Sequence, residues 1–254
     1  MKDQNAEVRE WVEHHARLGV GKIYLTDTGS AEPLGRQIRD HIASGLVDYF
    51  YSEDLMKTAE FPQLYVYDVC LRKFGARHEW MGFIDADEFL ILTGGAPSLP
   101  SFLRSYEEHA ALGVNMRTFG SSGHVTRPAG STLHNYVKCT NGSDEHTRHI
   151  KTIAHLRTGL VLSAENPHSF EYEDGAFAVN ERHEPIEDFL TEEASWEHIV
   201  LNHYVLKSRE EFAAKVARSN GMNDPKPTSY FDEIDALATL DCTYAAELYP
   251  LFQD

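Results

Sequence analysis

The chain has 254 residues, 42% of them hydrophobic and 25% charged, with a formal net charge of -17. That balance suits one folded core rather than a disordered or fibrous chain. The acidic excess is spread out and no Lys/Arg cluster occurs, which argues against nucleic acid as a partner. No run of about 18 apolar residues exists, so no membrane-spanning segment is expected, and the opening MKDQNAEVRE lacks the apolar stretch of a signal peptide.

Val8, Trp11, Val12, His15 and Leu18 recur at helical spacing and predict an amphipathic helix over 6–18, closed by Gly19. Residues 22–26 read as a strand ending in Asp27-Thr28-Gly29-Ser30. A helix is expected over 33–44 and a strand over 46–51. Leu64, Tyr67, Leu71 and Phe74 mark a third helix closed by Gly75, and 80–84 is an apolar strand running into Asp85. Helix and strand thus alternate, which predicts an α/β fold of βαβ units with a mostly parallel sheet flanked by helices. Ligands of such sheets bind beyond the carboxyl ends of the strands, where Asp27 and Asp85 both fall. A helix over 98–112 and a strand over 114–119 come next. The region 120–200 is loop-rich, with β-like runs at 149–155 and 159–163. A strand over 198–206 precedes Ser208-Arg209-Glu210-Glu211, a capping box opening a helix to about residue 220. A loop at 223–227 and a last short helix complete one domain, with halves at 1–95 and 96–254.

The three cysteines, Cys70, Cys139 and Cys242, are far apart and form no CxxC. A zinc finger or disulfide framework is not expected, although one disulfide is possible. Cys70 falls on the apolar side of its helix as a buried thiol. Asn141-Gly142-Ser143 is a sequon, which matters only in a secretory protein.

The segment Phe83-Ile84-Asp85-Ala86-Asp87-Glu88-Phe89-Leu90 sets three carboxylates directly after an apolar strand. Carboxylates so close ionise together only with compensation, and a hard divalent cation supplies it while leaving positions for phosphate oxygens. On an extended backbone Asp85 and Asp87 share a side and Glu88 points elsewhere. The alternative is an ordinary polar turn. Asp27 could accept from a ribose or a base, or simply close a turn. His14 and His15 are expected to be structural. His203, inside an apolar strand, is either a core residue or a ligand facing a site. No HExxH, GxSxG, GxxxxGK or GxGxxG occurs, so zinc-protease, serine-hydrolase, P-loop and dinucleotide readings lack support.

Taken in order, the residues resemble a known family. Glu10-Trp11-Val12-Glu13-His14-His15, Leu18-Gly19-Val20, Asp27-Thr28-Gly29-Ser30, Gln63 with Tyr67 and Cys70, Asp85-Ala86-Asp87-Glu88-Phe89, Phe119-Gly120-Ser121-Ser122-Gly123-His124 and Asn202-His203-Tyr204 with Lys207-Ser208 are similar to glycosyltransferase family 92 and related family-2-like enzymes, over about 2–218. The resemblance implies a GT-A fold, with a Rossmann-like nucleotide-sugar half over 1–95 and an acceptor-side half over 96–254. It implies inverting transfer of a sugar, galactose in some relatives, from a UDP-sugar donor to a glycan or other hydroxyl acceptor. Asp85 and Asp87 would hold Mn2+ (or Mg2+) with the diphosphate, His203 would be a third metal ligand, and Asp27 would lie near the uridine. Relatives carry an apolar strand before the position of Lys2-Asp3-Gln4-Asn5, so a first strand is expected upstream of this chain. A Golgi or other secretory lumen would follow from an upstream membrane anchor, and the cytoplasm otherwise. For the catalytic base the candidates are Asp174, Glu181 and His124, and His124 and His168 would shape the acceptor side. The rival readings are a degenerate, non-catalytic sugar- or partner-binding domain and a nucleotidyltransferase, the latter without the expected basic phosphate loop.

Overall fold

The computed structural model describes residues 1–142, 145–217, 227 and 229–249. The opening helix is α1, Val8–Arg17, which buries Val8, Trp11, Val12, His14 and His15. Gly19 follows it at φ +94°, a conformation that favours glycine. Strand β1 is Ile23–Asp27. In place of one helix over 33–44 there is a 3-10 turn, Leu34–Arg36, and a short α2, Arg39–Ala43. Strand β2, Val47–Tyr51, pairs with β1 in parallel, as a βαβ unit requires. A one-turn α3, Leu55–Thr58, leads to α4, Pro62–Phe74, the third predicted helix.

The apolar strand over 80–84 is shorter than expected. Strand β3 is Trp80–Gly82, and the chain then turns into a second strand, β4, Glu88–Leu92. The run Phe89-Leu90-Ile91-Leu92 is wholly buried, so it carries no alternation to mark it as a strand. The helix expected over 98–112 is also shorter. Helix α5, Leu99–Leu103, starts at Ser98, whose side chain accepts from Ser101 N at 3.3 Å, and a 3-10 turn ends at Tyr106. Strand β5, Ala111–Thr118, takes over the residues expected to end that helix. Gly113 lies inside β5, where an added Cβ would meet Ile186 Cδ1 at 2.4 Å. Its glycine therefore serves close packing, not a helix end.

The remaining elements are α6 (Thr132–Asn135), β6 (Lys138–Cys139), β7 (Ile150–His155), β8 (Val161–Ala164), β9 (Phe170–Tyr172), β10 (Ala178–Val179), β11 (Pro185–Ile186), β12 (Ile199–His203), α7 (Arg209–Ala217), α8 (Ser229–Leu237), β13 (Leu240–Asp241) and α9 (Tyr244–Leu248). The capping box at Ser208 forms as expected: its Oγ accepts from Glu211 N at 3.2 Å and donates to Glu211 Oε2 at 2.6 Å. The predicted end of that helix near 220, the loop at 223–226 and Ser143 of the sequon lie outside the described residues.

The fold is α/β. A seven-stranded sheet runs in the order β11-β10-β5-β12-β4, with β7 joining β5 to β3. Strand β5 is parallel to β10 and to β12 and antiparallel to β7. Strands from both halves of the chain interleave, since β3 pairs with β7 and β4 with β12. Helix α1 covers the outer edge of β4. His14 Nε2 meets Leu90 O at 2.7 Å, and His15 Nδ1 meets Trp11 O at 2.8 Å. Both imidazoles are held neutral by burial, which outweighs those carbonyls, and His14 is lowered to about 4. They are structural, as expected. One core layer joins α1 to β1, β2, β4 and α9, and a second packs α5 on β4, β5 and β12. Among the described residues no helix is long and apolar enough to cross a membrane.

Cys139 and Cys242 form a disulfide with Cα atoms 5.9 Å apart, across 103 residues. It sits where Leu240 of β13 pairs with Cys139 of β6. Cys70 is the buried free thiol expected on α4. Unfolding without reductant should therefore expose one titratable thiol per chain, rising to three after reduction. Reduction should destabilise the fold by about 2–5 kcal/mol, read from the denaturant midpoint.

Candidate functional site around Asp85 and Asp87

Asp85-Ala86-Asp87 is the turn between β3 and β4, not an extension of a strand. Its backbone is fixed from two sides. Trp11 Nε1 on α1 donates to Asp85 O at 3.0 Å and to Glu88 O at 2.9 Å. Tyr204 N, just past β12, donates to Asp87 O at 2.8 Å. The expectation that Glu88 points elsewhere is corrected by this turn. Its carboxyl folds back beneath it, accepting Asp85 N at 2.8 Å.

Asp85 and Asp87 engage different cations. Asp85 accepts from Gln63 Nε2 at 2.9 Å and from Lys151 Nζ at 3.1 Å. Lys151 also lies 3.6 Å from Glu88, and both of those side chains are almost wholly buried. Asp87 accepts from Lys215 Nζ on α7. Strand pairing of His203 with Glu88 brings the imidazole to the same turn, with Nε2 3.8 Å from Asp87 Oδ2.

These contacts sort the charges. Burial raises the Glu88 carboxyl to about 8, assisted by Asp85 and Asp87 and opposed by Lys151. Burial also resists ionisation of Asp87, but Lys215, His203 and Lys207 outweigh it and hold Asp87 well below the usual carboxylate range. The Lys151 ammonium is opposed by burial, yet Asp85 and Glu88 raise it well above the ordinary lysine value. Of the three carboxyls, Glu88 thus holds its proton to the highest pH, while Asp85 and Asp87 are held below their ordinary values.

Two carboxylates and an imidazole are a suitable oxygen and nitrogen donor set for Mn2+ or Mg2+. In the structure Asp87 is taken by Lys215, and among the described residues no three His, Cys, Asp or Glu side chains are gathered closely enough to hold a metal. The donor chemistry fits a divalent cation on condition that Lys215 gives up Asp87.

The other predicted residues lie as follows. Asp27 is fully buried, and its oxygens accept from Ser30 N at 2.8 Å, Leu34 N at 2.9 Å and Tyr49 OH at 2.7 Å. Burial raises its carboxyl, but these three donors prevail and keep it below its ordinary value. It organises the loop after β1 from within. Glu181 accepts from Ser195 Oγ, from Glu197 N at 2.7 Å, from His198 N at 2.8 Å and from Ile199 N at 2.9 Å. Buried and saturated, it has no acceptor left for a substrate proton, so the expectation of a base there is corrected. Asp174 is an exposed turn residue at φ +54°. His124 Nε2 meets Asn135 O at 3.1 Å, which ties the Phe119–His124 motif to α6. His168 lies beside Lys151: its Nδ1 meets Ile150 O at 2.8 Å, and its own carbonyl accepts from Thr152 Oγ1 at 2.7 Å. Burial, then Lys151, lowers that imidazole to about 4. A carbonyl only accepts, so Nδ1 carries the proton and Nε2 is the basic nitrogen.

Sequence reasoning missed Lys151 and Lys215. Lys151 left one signal, a lysine beside Thr152 in the otherwise apolar run 150–154. Trp11 was placed in the core without its role at the turn.

A cavity of about 930 Å³ opens beside the turn, lined by Asp85, Asp87, Lys151 and Lys215 and extending between β1 and β3. On its wall Met1 lies opposite Asp27 as a parallel strand would. Its amino group donates to Thr26 O at 2.6 Å, and its carbonyl accepts from Thr28 N at 2.9 Å.

An acidic turn at the mouth of such a cavity, on an α/β fold, is where ligand sites of this fold class are found. The chain matches the model of glycosyltransferase family 92 over residues 2–234 and belongs to that family. It is similar to a family 92 protein of Oryza sativa subsp. japonica, 27% identical over 184 residues, covering 71% of this chain and 30% of that protein. A family 92 protein of Ricinus communis is 26% identical over 223 residues, covering 86% and 36%. The chain thus spans about a third of the length of the curated relatives it matches. The structure of S. aureus TarS 1-349 aligns with a TM-score of 0.40 at 10% identity, over 91% of this chain and 67% of that one.

The Glu88 carboxyl gives a pH signature. Its folded value, about 8, lies above the ordinary glutamate value of 4.5, so the stability it contributes is present at low pH and is lost as pH rises through that interval. Glu88→Gln keeps an acceptor for Asp85 N and cannot ionise. Its stability relative to wild type should therefore rise between pH 5 and 8, by at most about 1.4 kcal/mol per pH unit. Urea midpoints of the two proteins across that range measure it.

Proposed function

We propose that this chain is the donor-binding and transfer domain of a glycosyltransferase of GT-A type, in which Asp85 and Asp87 hold Mn2+ or Mg2+ against the diphosphate of a UDP-sugar. The observation that carries the reading is the pinned acidic turn at the edge of a cavity large enough for a nucleotide, in a family 92 chain. Asp85, Asp87 and His203 would hold the cation, which supplies Lewis-acid stabilisation to the leaving diphosphate.

The chain's own residues do the rest. Trp11 and Tyr204 fix the turn, and Lys151 and Gln63 set the Asp85 carboxylate. Asp27 shapes the loop that would border the uridine. His168 offers a neutral imidazole on the acceptor side, where a hydroxyl must lose its proton during direct displacement at the anomeric carbon. Galactose as the sugar and a glycan as the acceptor complete the proposal.

Calorimetry with UDP, with and without Mn2+, on wild type and Asp87→Asn tests the main proposal. Wild type should bind UDP only with the metal, and the substitution should weaken that binding at least about 100-fold, the loss expected for a charged contact. UDP binding indifferent to metal and to the substitution would favour a degenerate binding domain.

A further inference from the structure

Two lysines neutralise the acidic turn, and the fold treats them differently. Lys151 sits on the central sheet with its side chain 2% exposed, between Asp85 and Glu88. It is built in, and removing it would take the cation from the buried Glu88 and from Asp85. Lys215 approaches Asp87 from the solvent side, on α7, with its side chain 31% exposed. Besides Asp87 it reaches Val205 O at 3.1 Å. Both lysines line the same cavity.

We propose that Lys215 is an exchangeable counterion: it holds Asp87 in the free protein and passes to the donor's diphosphate when cation and nucleotide arrive. This rests on the function proposed above. An ammonium and a divalent cation compete for the same Asp87 oxygen and repel each other there. Binding of the cation at that oxygen therefore displaces Lys215. Its base does not move far, because α7 is anchored at its start. Ser208 and Glu211 cap the helix reciprocally, and Lys207, at φ +53°, places its Nζ 3.3 Å from Glu7. Only the flexible stem swings, so the displaced ammonium stays within the cavity. The strong acceptors arriving there are phosphate oxygens, which a lysine binds as a compact point charge. Lys215 would thus shield Asp87 before binding and stabilise the leaving diphosphate afterwards.

The two roles predict opposite effects of one substitution. Mn2+ binding without nucleotide, followed by electron paramagnetic resonance of free Mn2+, should be about tenfold tighter in Lys215→Met than in wild type, as expected for loss of a competitor worth about 1.4 kcal/mol. At saturating Mn2+ the same variant should bind UDP about tenfold more weakly. Lys215→Arg, which keeps the charge, should stay close to wild type in Mn2+ affinity, and circular dichroism should show both variants folded. Asp87→Asn separates the two levels of the argument. If it loses Mn2+ while Lys215→Met changes neither affinity, the exchange is wrong and the metal site stands. If Asp87→Asn binds Mn2+ as wild type does, the metal site is wrong and the exchange falls with it.

Discussion

A single buried ammonium holds the site and the sheet in register. Lys151 rises from β7 into a space where water cannot solvate it, and it stays charged because Asp85 and Glu88 come to it. Burying a lone charge costs several kcal/mol, so the acidic turn and the lysine strand must form together or not at all. The same contact explains why three carboxyls can crowd within four residues. Glu88 is buried and holds its proton to the highest pH of the three, Asp85 is paired with the buried Lys151, and Asp87 is paired with Lys215. The turn is thus electrically settled before any ligand arrives, and its remaining freedom lies on the Asp87 side.

The backbone of the turn is settled by helix α1, an element remote from it in sequence. The edge strand β4 would otherwise expose its carbonyls, and edge strands need a cover. Trp11, His14 and His15 provide it with ring nitrogens rather than with another strand. A histidine pair in a core looks wasteful, but at this edge the imidazoles are neutral hydrogen-bonding groups on an apolar helix face. Packing and the geometry of the acidic turn are therefore one construction here.

Much of the fold was legible because the relevant signals are local. Helical spacing marked α1 and α4, alternation with short turns marked the β1–β2 unit, and the Ser208 box marked the start of α7 to the residue. The failures share a cause. Strand β4 and the start of β5 are buried on all sides, so they show apolar runs without a period, and Gly113 looked like punctuation when it was a close contact. Of the site, Asp85, Asp87 and His203 could be singled out, but the partners that give them character could not. Lys151 and Lys215 lie 66 and 128 residues from the carboxylates they hold. Glu181 failed as a base for a reason no sequence shows, since its oxygens are used by backbone amides a strand away.

The disulfide gives the site an unusual connectivity. Cys139 and Cys242 close a covalent ring around everything between them. Lys151, His168, His203 and Lys215 all belong to that ring, whereas Asp85, Asp87 and Glu88 lie outside it on the amino-terminal arm. The site is therefore a junction between a loop of chain and a tail. A protease that cuts once inside the ring would leave a single covalent molecule with two new ends. A cut between the acidic turn and Cys139 would instead divide the carboxyls from their cations, leaving only packing and strand pairing to hold the halves of the site together.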